Sequence, residues 1–351
     1  MRRDLVVLGA SAGGIEALRA LMGGLPRDFP ASLAVVVHSA PDSPGVLAGI
    51  LERAGSLRAV TVRGPVRLEP GTVYVPAADH HLMVEPSRAL ATRGPRENRF
   101  RPAIDPLFRS AAQAYGPRVI GVILTGGLDD GAAGLWTVKR LGGVAVVQEP
   151  RDALYDAMPL NALAATDADH CVPLAQLAPL LVRLASEDIA EIGGYTVPEK
   201  VKIEVDIARE RPALEAGVAR LGEPSPYACP ECHGVLLQVE DGELTRYRCH
   251  TGHAYSSDSL LADFDEAIGT ALETSVRALQ EKAIFVRHLA GHERDRGGLE
   301  RARTFERLAD DAQQRSEALR RAAMDHAGAR EETLQATRPV RGNGSDEKER
   351  A

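Results

Sequence analysis

Seven short apolar runs, separated by stretches of helical periodicity, constrain this chain more than any other feature. They are LVVL at 5–8, LAVVV at 33–37, RAVTV at 58–62, TVYVP at 72–76, VIGVIL at 119–124, VAVVQ at 144–148 and HCVPL at 170–174. Several lack any polar alternation, the mark of strands covered by helices on both faces. Helical patterns fill 14–24, 45–54, 106–115, 130–141, 158–165 and 175–186. Strands alternating with helices require crossover connections and a parallel sheet. Residues 1–186 therefore read as one doubly wound α/β domain with a mostly parallel sheet. At 351 residues the chain is longer than that domain needs, so further modules must follow.

Residues 187–226 are mixed in character and read as a linker with one short helix, partly packed on the first domain. A small cysteine-containing module covers 227–255. Beyond it Leu261, Phe264, Ile268, Leu272, Val276 and Leu279 recur at steps of three and four, one face of an amphipathic helix. Gly297-Gly298 breaks that pattern and a second helix begins near 299, so 256–330 reads as a helical hairpin. The polar tail at 337–351 has the composition of a disordered segment.

Composition excludes several functions. A net charge of -7 and 4% aromatic residues leave neither a basic field nor stacking platforms for nucleic acid. No apolar stretch approaches the length of a membrane helix. The opening MRRDLVVLGASAGG has no small-residue cleavage site and reads as a first strand, not a signal peptide. Four cysteines, three of them clustered, suit a reducing cytoplasm and a metal site better than a disulfide framework.

The segment LVVLGASAGGIEALRAL reads strand, sharp turn, helix, and Gly9, Ser11 and Gly13 form G-x-S-x-G. That pattern presents a serine at a strand's carboxyl end, beside backbone amides of a helix N-terminus, Ala12's among them, able to stabilise an oxyanion. Gly-rich turns of this kind also bind nucleotide phosphates, or are merely structural. His38 directly follows a buried strand in LAVVVH, and Asp129 and Asp130 follow another in GVILTGGLDDG. In open α/β sheets, sites form at the carboxyl ends of strands. Ser11, His38 and Asp130 can converge there as nucleophile, base and orienting carboxylate. A strand-end histidine satisfied by backbone and an N-capping aspartate are the structural alternatives.

The module ACPECHGVLLQVEDGELTRYRCHTGHAYS contains Cys229-x2-Cys232 and Cys249-x3-His253 on either side of a hairpin turned at Asp241-Gly242. Ligand pairs at this separation fit a zinc ribbon, with Cys229, Cys232, Cys249 and His253 as ligands and His250 or His233 as alternatives for the fourth. A redox Cys-x2-Cys is the competing reading. Four protein ligands leave no open position, so the zinc would be structural, and so short a module buries too little to fold without it.

GASAGG, VVVH and LTGGLDDGAAGL, with FRPAIDPLFRSAA between and VQEPRDALYDAMPLNAL after, resemble the catalytic domain of chemotaxis protein-glutamate methylesterases, the CheB type, over about residues 3–186. The resemblance implies a doubly wound domain that hydrolyses glutamyl methyl esters on chemoreceptors and, in some members, deamidates receptor glutamines. It carries the family's serine to Ser11, its histidine to His38 and its aspartate to Asp130, with no catalytic cofactor. It implies a methylated chemoreceptor or related signalling protein as partner, and a methyltransferase or response regulator beside it. The family's methionine after T-G, whose backbone helps form the oxyanion hole, is Gly127 here, and the glycine after it is Leu128. Many relatives carry an N-terminal receiver domain; this chain starts at the first esterase strand, so none is expected.

Around the cleft, Asp105 before Pro106 reads as a helix cap. Arg101 suits either a carboxylate-rich substrate or a bare surface. His80 and His81 take no assigned role, Met158 reads as packing and Cys171 as inert core. The alternative from another class is a catalytically weak scaffolding module using the ribbon and helices; a nucleotide-binding protein would leave His38 without a use.

Overall fold

The computed structural model describes residues 1–190, 194–242 and 244–336, and it divides into two units meeting at Leu260 and Leu261. The expected tail at 337–351 lies outside the described residues.

The first unit opens with β1 (Leu5–Ala10), α1 (Gly14–Gly24), β2 (Ser32–Val37), α2 (Leu47–Ala54), β3 (Arg58–Val62), β4 (Val66–Arg67), β5 (Thr72–Pro76), β6 (His81–Glu85) and β7 (Arg88–Thr92). It continues with α3 (Ile104–Tyr115), β8 (Val119–Ile123), α4 (Ala132–Arg140), β9 (Val144–Gln148), α5 (Ala157–Ala165), β10 (His170–Val172) and α6 (Leu174–Ser186). Seven strands form one sheet in the order β10-β9-β8-β1-β2-β5-β3, and every pairing in it is parallel. The chain winds outward from β1 to one side through β2 and to the other through β8. The switch point, where a crevice opens at the strands' carboxyl ends, therefore lies beside β1.

β1 explains the unalternated apolar runs. Val6, Leu8 and Ala10 face one core with Leu18, Met22, Val35 and Leu181, while Leu5 and Val7 face a second with Phe108, Leu135 and Ala145. Both faces of the strand are thus buried, and each such side chain contributes about 1.5–3 kcal/mol on leaving water.

Two features depart from expectation. β4, β6 and β7 form a small antiparallel sheet. Residues 187–226, expected as a linker, contain α7 (Glu199–Ala208), the short α8 (Ala213–Ala216) and the start of a new sheet. In α7, Val201, Ile203, Val205 and Ile207 alternate with polar residues, a strand-like period in sequence. They form a helix because α7 is buried on two sides. Val201 and Val205 pack with Met83 and Leu90, whereas Ile203 and Ile207 pack with Val218, Leu221 and Val239.

The new sheet runs β11 (Glu223–Ala228), β12 (Val235–Asp241), β13 (Leu244–Cys249) and β14 (Ala254–Ser256), antiparallel throughout. It is tied to α3 and α7 by a buried ion network. Glu204 pairs with Arg246 and Arg248, and Glu97 pairs with Arg248 and Arg109. Burial of the three arginines is offset by these two carboxylates. The arginines in turn hold both carboxylates below the ordinary range, against the opposing effect of burial.

α9 (Ser257–Asp295) starts in the first unit and carries on into the second, where α10 (Leu299–Ala336) returns. Their direction is antiparallel: His326 meets the Asp265 carbonyl, Ser316 the Val276 carbonyl and Arg287 meets Asp310. Gly297, at φ 78, makes the turn. Leu272, Val276 and Leu279 lie on the half-buried face, but Leu261 and Ile268 are exposed; Ala283, Val286, Ala290, Ala302, Ala309 and Ala312 fill the contact. Small residues let the two helices approach closely.

Candidate active site

Ser11 follows β1 in a turn tied down from three directions. Its N–H donates to the Thr125 carbonyl (3.0 Å), and its carbonyl accepts the Gly14 N–H (2.9 Å) that opens α1. The Thr125 hydroxyl donates to the Ala12 carbonyl (3.0 Å). Gly13 stands at φ 74, where a side chain is strained, and a Cβ on Gly9 would strike Ile104 at 2.4 Å. The glycines flanking the serine thus answer to one turn and one close helix approach.

His38 sits one residue beyond β2, its side chain 4% exposed. Its Nδ1 lies 3.0 Å from Ser11 Oγ and its Nε2 2.7 Å from Asp130 Oδ2. A carboxylate acceptor fixes the proton on Nε2 and leaves the Nδ1 lone pair toward the serine hydroxyl. The Phe100 ring stacks on the imidazole at 3.7 Å and 8°.

Asp130 does not cap its own helix. Its carboxylate accepts the N–H groups of Ile104 (2.6 Å) and Asp105 (3.3 Å), at the N-terminus of α3. Asp105, expected as a cap of α3, instead accepts the Gly134 N–H of α4 (2.6 Å). The two aspartates cap each other's helices because α3 and α4 pack side by side. Burial alone would raise the Asp130 pKa, but the bonds from His38, Ile104 and Asn98 hold it below the ordinary carboxylate range. Asp105, with fewer donors and Asp130 beside it, is pushed up to about 7, chiefly by burial.

A cleft of about 520 Å³ opens on Ser11 and His38, with Ala12 and Phe100 in its lining and Arg96, Arg99 and Arg101 along its wall. Arg101 is committed to Asp79 (2.8 Å) and to the Gly94 carbonyl (3.0 Å). Near the serine, the N–H groups of Ser11 and Gly126 are taken by the carbonyls of Thr125 and Tyr155. Ala12 and Gly127 are exposed beside them, and a Cβ on Gly127 would meet nothing within 4 Å. Leu128 stands at φ 58, its carbonyl held by Asn161 Nδ2 (3.0 Å).

Other residues singled out in the sequence fall as follows. His81 is fully buried, accepts the Ala103 N–H at Nδ1 (3.2 Å) and donates from Nε2 to the Pro95 carbonyl (2.9 Å); burial depresses its pKa, so it is a neutral structural group. His80 meets the Ala78 carbonyl. Met158 is buried against Gly126. Cys171 is not core: it is exposed on the edge strand β10, where partial burial and the Glu149 carboxylate push its thiol up to about 11. Asn98, Phe100 and Glu97 were not legible as site residues, since no local pattern marks them.

The second cluster is at the ribbon. Ligand atoms of Cys229, Cys232, Cys249 and His253 lie within 4.8 Å of one another. His253 Nδ1 is 3.6 Å from both Cys229 Sγ and Cys249 Sγ, and Cys232 and Cys249 sulfurs are 3.5 Å apart. A tetrahedral ion with metal–sulfur bonds of about 2.3 Å sets its ligands roughly 3.5–3.8 Å apart, so the donor set fits a metal. Glu231 holds the far nitrogen of His253 at 3.2 Å, as carboxylates do for metal-bound histidines. His250 and His233 stand outside the set.

A serine joined through histidine to a buried aspartate, at the switch point of a parallel sheet and beside a cleft, defines an α/β protein with a Ser–His–Asp hydrolase-type array. The family model described as CheB methylesterase matches residues 6–181. This chain belongs to the CheB methylesterase family.

A Leptospira interrogans protein provisionally designated protein-glutamate methylesterase/protein-glutamine glutaminase is 36% identical over 192 residues, 54% of this chain and 100% of that protein. The protein-glutamate methylesterase/protein-glutamine glutaminase of Bordetella bronchiseptica is 41% identical over 189 residues, 51% of this chain and 53% of its own. The protein-glutamate methylesterase FrzG of Myxococcus xanthus is 36% identical over 180 residues, 51% of this chain and 54% of its own. This chain thus spans about half of the latter two. The crystal structure of the Thermotoga maritima CheB methylesterase catalytic domain superposes with a TM-score of 0.50 at 29% identity, covering 52% of this chain and all of that one.

Proposed function

We propose that this chain is a protein-glutamate methylesterase acting on methylated chemoreceptors or related signalling proteins, with Ser11, His38 and Asp130 as its catalytic residues. The observation that carries this reading is His38 bridging Ser11 Oγ and Asp130 at 3.0 and 2.7 Å on the wall of an open cleft. Ser11 Oγ attacks the γ-carbonyl carbon of a glutamyl methyl ester as His38 Nδ1 takes its proton. The N–H groups of Ala12 and Gly127, residues exposed near Ser11, are the candidates to hold the oxyanion, since the N–H groups of Ser11 and Gly126 are occupied. His38 returns the proton to the departing methoxide, releasing methanol; water then enters through the same base and frees the glutamate. Asp130 keeps the imidazole in the required tautomer and stabilises its protonated form. Amide hydrolysis at glutamine follows the same path, and the names of the Leptospira and Bordetella relatives support it. The arginine-lined wall favours an acidic polypeptide.

The reading extends to the ribbon, where Cys229, Cys232, Cys249 and His253 would hold zinc. With four protein ligands the ion would be structural and would tie the start of β12 to the end of β13. Among the described residues no helix is long and apolar enough to cross a membrane. Three thiols clustered at one site support a reducing cytoplasm as its place.

Intact-mass spectrometry of a methylated receptor fragment tests the proposal. The fragment should lose one methylene's mass per methylated site on incubation with this protein. A mass unchanged after many enzyme equivalents refutes it.

A further inference from the structure

Asn98 is buried, 5% exposed, and every hydrogen-bonding position of its side chain is used. Nδ2 donates to Asp130 Oδ1 (2.8 Å) and to Asp105 Oδ2 (3.0 Å). Oδ1 accepts the Ser256 N–H (2.9 Å) and the Ser259 hydroxyl (3.2 Å). A carboxamide offers two N–H donors and two acceptor sites, so the group is saturated. Its orientation is also forced, since turning the amide over would set an oxygen against two carboxylates. One side of Asn98 therefore belongs to the catalytic array. The other belongs to the segment that ends the ribbon and starts α9.

The backbone around it is clamped in the same way. Asn98 N–H donates to the Ala254 carbonyl (2.8 Å), and Ala254 N–H donates to the Arg96 carbonyl (3.2 Å). Glu97 accepts from Arg248 of β13 (2.9 Å). Asn98 and Arg99 both stand in the left-handed region, at φ 49 and 76, a conformation that persists only where surroundings impose it. Two residues on, Phe100 covers the His38 ring. The Ser256 hydroxyl also donates to Asp129 Oδ1 (2.6 Å), next in chain to Asp130.

We propose that Asn98 is a positioning residue for Asp130, and that Ser256 and Ser259 hold it, so that the catalytic array depends on the segment lying C-terminal to the matched family domain. This rests on Ser11, His38 and Asp130 being the catalytic residues. Asn98 delivers a fixed donor to Asp130 Oδ1, leaving Oδ2 free to face His38. Ser259 makes no bond to Asp130 itself and reaches it chiefly through Asn98.

Steady-state methanol release from a methylated receptor fragment, measured with the full chain, tests this in wild type, Asn98→Ala, Asn98→Asp, Ser259→Ala and the double variant Asn98→Ala/Ser259→Ala. Loss of a hydrogen bond to a charged group should lower kcat of Asn98→Ala about tenfold to hundredfold, with KM within about twofold. Asn98→Asp keeps the shape but adds a third carboxylate, and should be impaired at least as much. Ser259→Ala should lower kcat several-fold alone and clearly less in the Asn98→Ala background. Unchanged kcat in a folded Asn98→Ala, or additive effects in the double variant, overturns the proposal. Should Asn98→Ala fail to fold, an unchanged kcat in Ser259→Ala overturns it. A wild type that releases no methanol overturns the esterase reading instead, which is a different result from an active wild type indifferent to residue 98.

Discussion

Leu128 is the residue in the site loop whose backbone and side chain disagree. At φ 58 a β-carbon crowds the following carbonyl, at about 1–2 kcal/mol, and the Asn161 bond to its carbonyl helps hold the residue there. Replacement by glycine removes that strain and adds back some unfolded-state freedom. Leu128→Gly should therefore stabilise the folded chain by about 0.5–1 kcal/mol in urea unfolding; a lowered midpoint would mean that the leucine side chain packs more than it strains. The neighbouring residues show what sequence can reveal at this scale. The meeting of Ser11, His38 and Asp130 was legible because Ser11 and His38 directly follow apolar strand runs, Asp130 lies in the turn after another, and strand ends at a switch point converge. Asn98 and Phe100 were not, since their roles come from contacts to residues far along the chain, 32 positions away for Asp130 and 158 for Ser256.

At the scale of elements, the turn between β8 and α4 carries a titration. Asp129 lies beside Asp258, and burial together with that neighbour pushes its carboxyl up to about 8 from an ordinary 3.8. Between those values the folded chain keeps a proton that the unfolded chain has released. Stability linked to this group is full below about pH 4 and declines as pH rises toward 8. Asp129→Asn mimics the protonated form and removes the decline. The thermal midpoint of the variant should draw level with wild type near pH 4 and exceed it increasingly up to pH 8. A gap that does not change with pH would show that Asp129 is ionised in the folded chain. The same scale shows where pattern reading stops. Strands buried on both faces and their following helices announced themselves by uninterrupted apolar runs. α7 did not, because burial on two sides gives a helix the period of a strand. The reciprocal caps of Asp105 and Asp130 were hidden too, since a cap read from sequence is assumed to serve its own helix.

At the scale of the molecule, the family domain and the ribbon share one unit. α7 packs on both, and Glu97 and Glu204 bond the buried arginines of α3 and β13. That Cys229, Cys232, Cys249 and His253 come together was legible from their spacing; the ion network was not, because charged residues in sequence look like solvent-exposed surface. None of this displaces the site from the switch point, and the central proposal is that Ser11 is the nucleophile of a methylesterase. The direct measurement is the rate of methanol release from a methylated receptor fragment by wild type and by Ser11→Ala, at equal concentration and with both shown to be folded. Removing the nucleophile of such an array should lower kcat by at least about a thousandfold. Equal rates in the two proteins would contradict the claim.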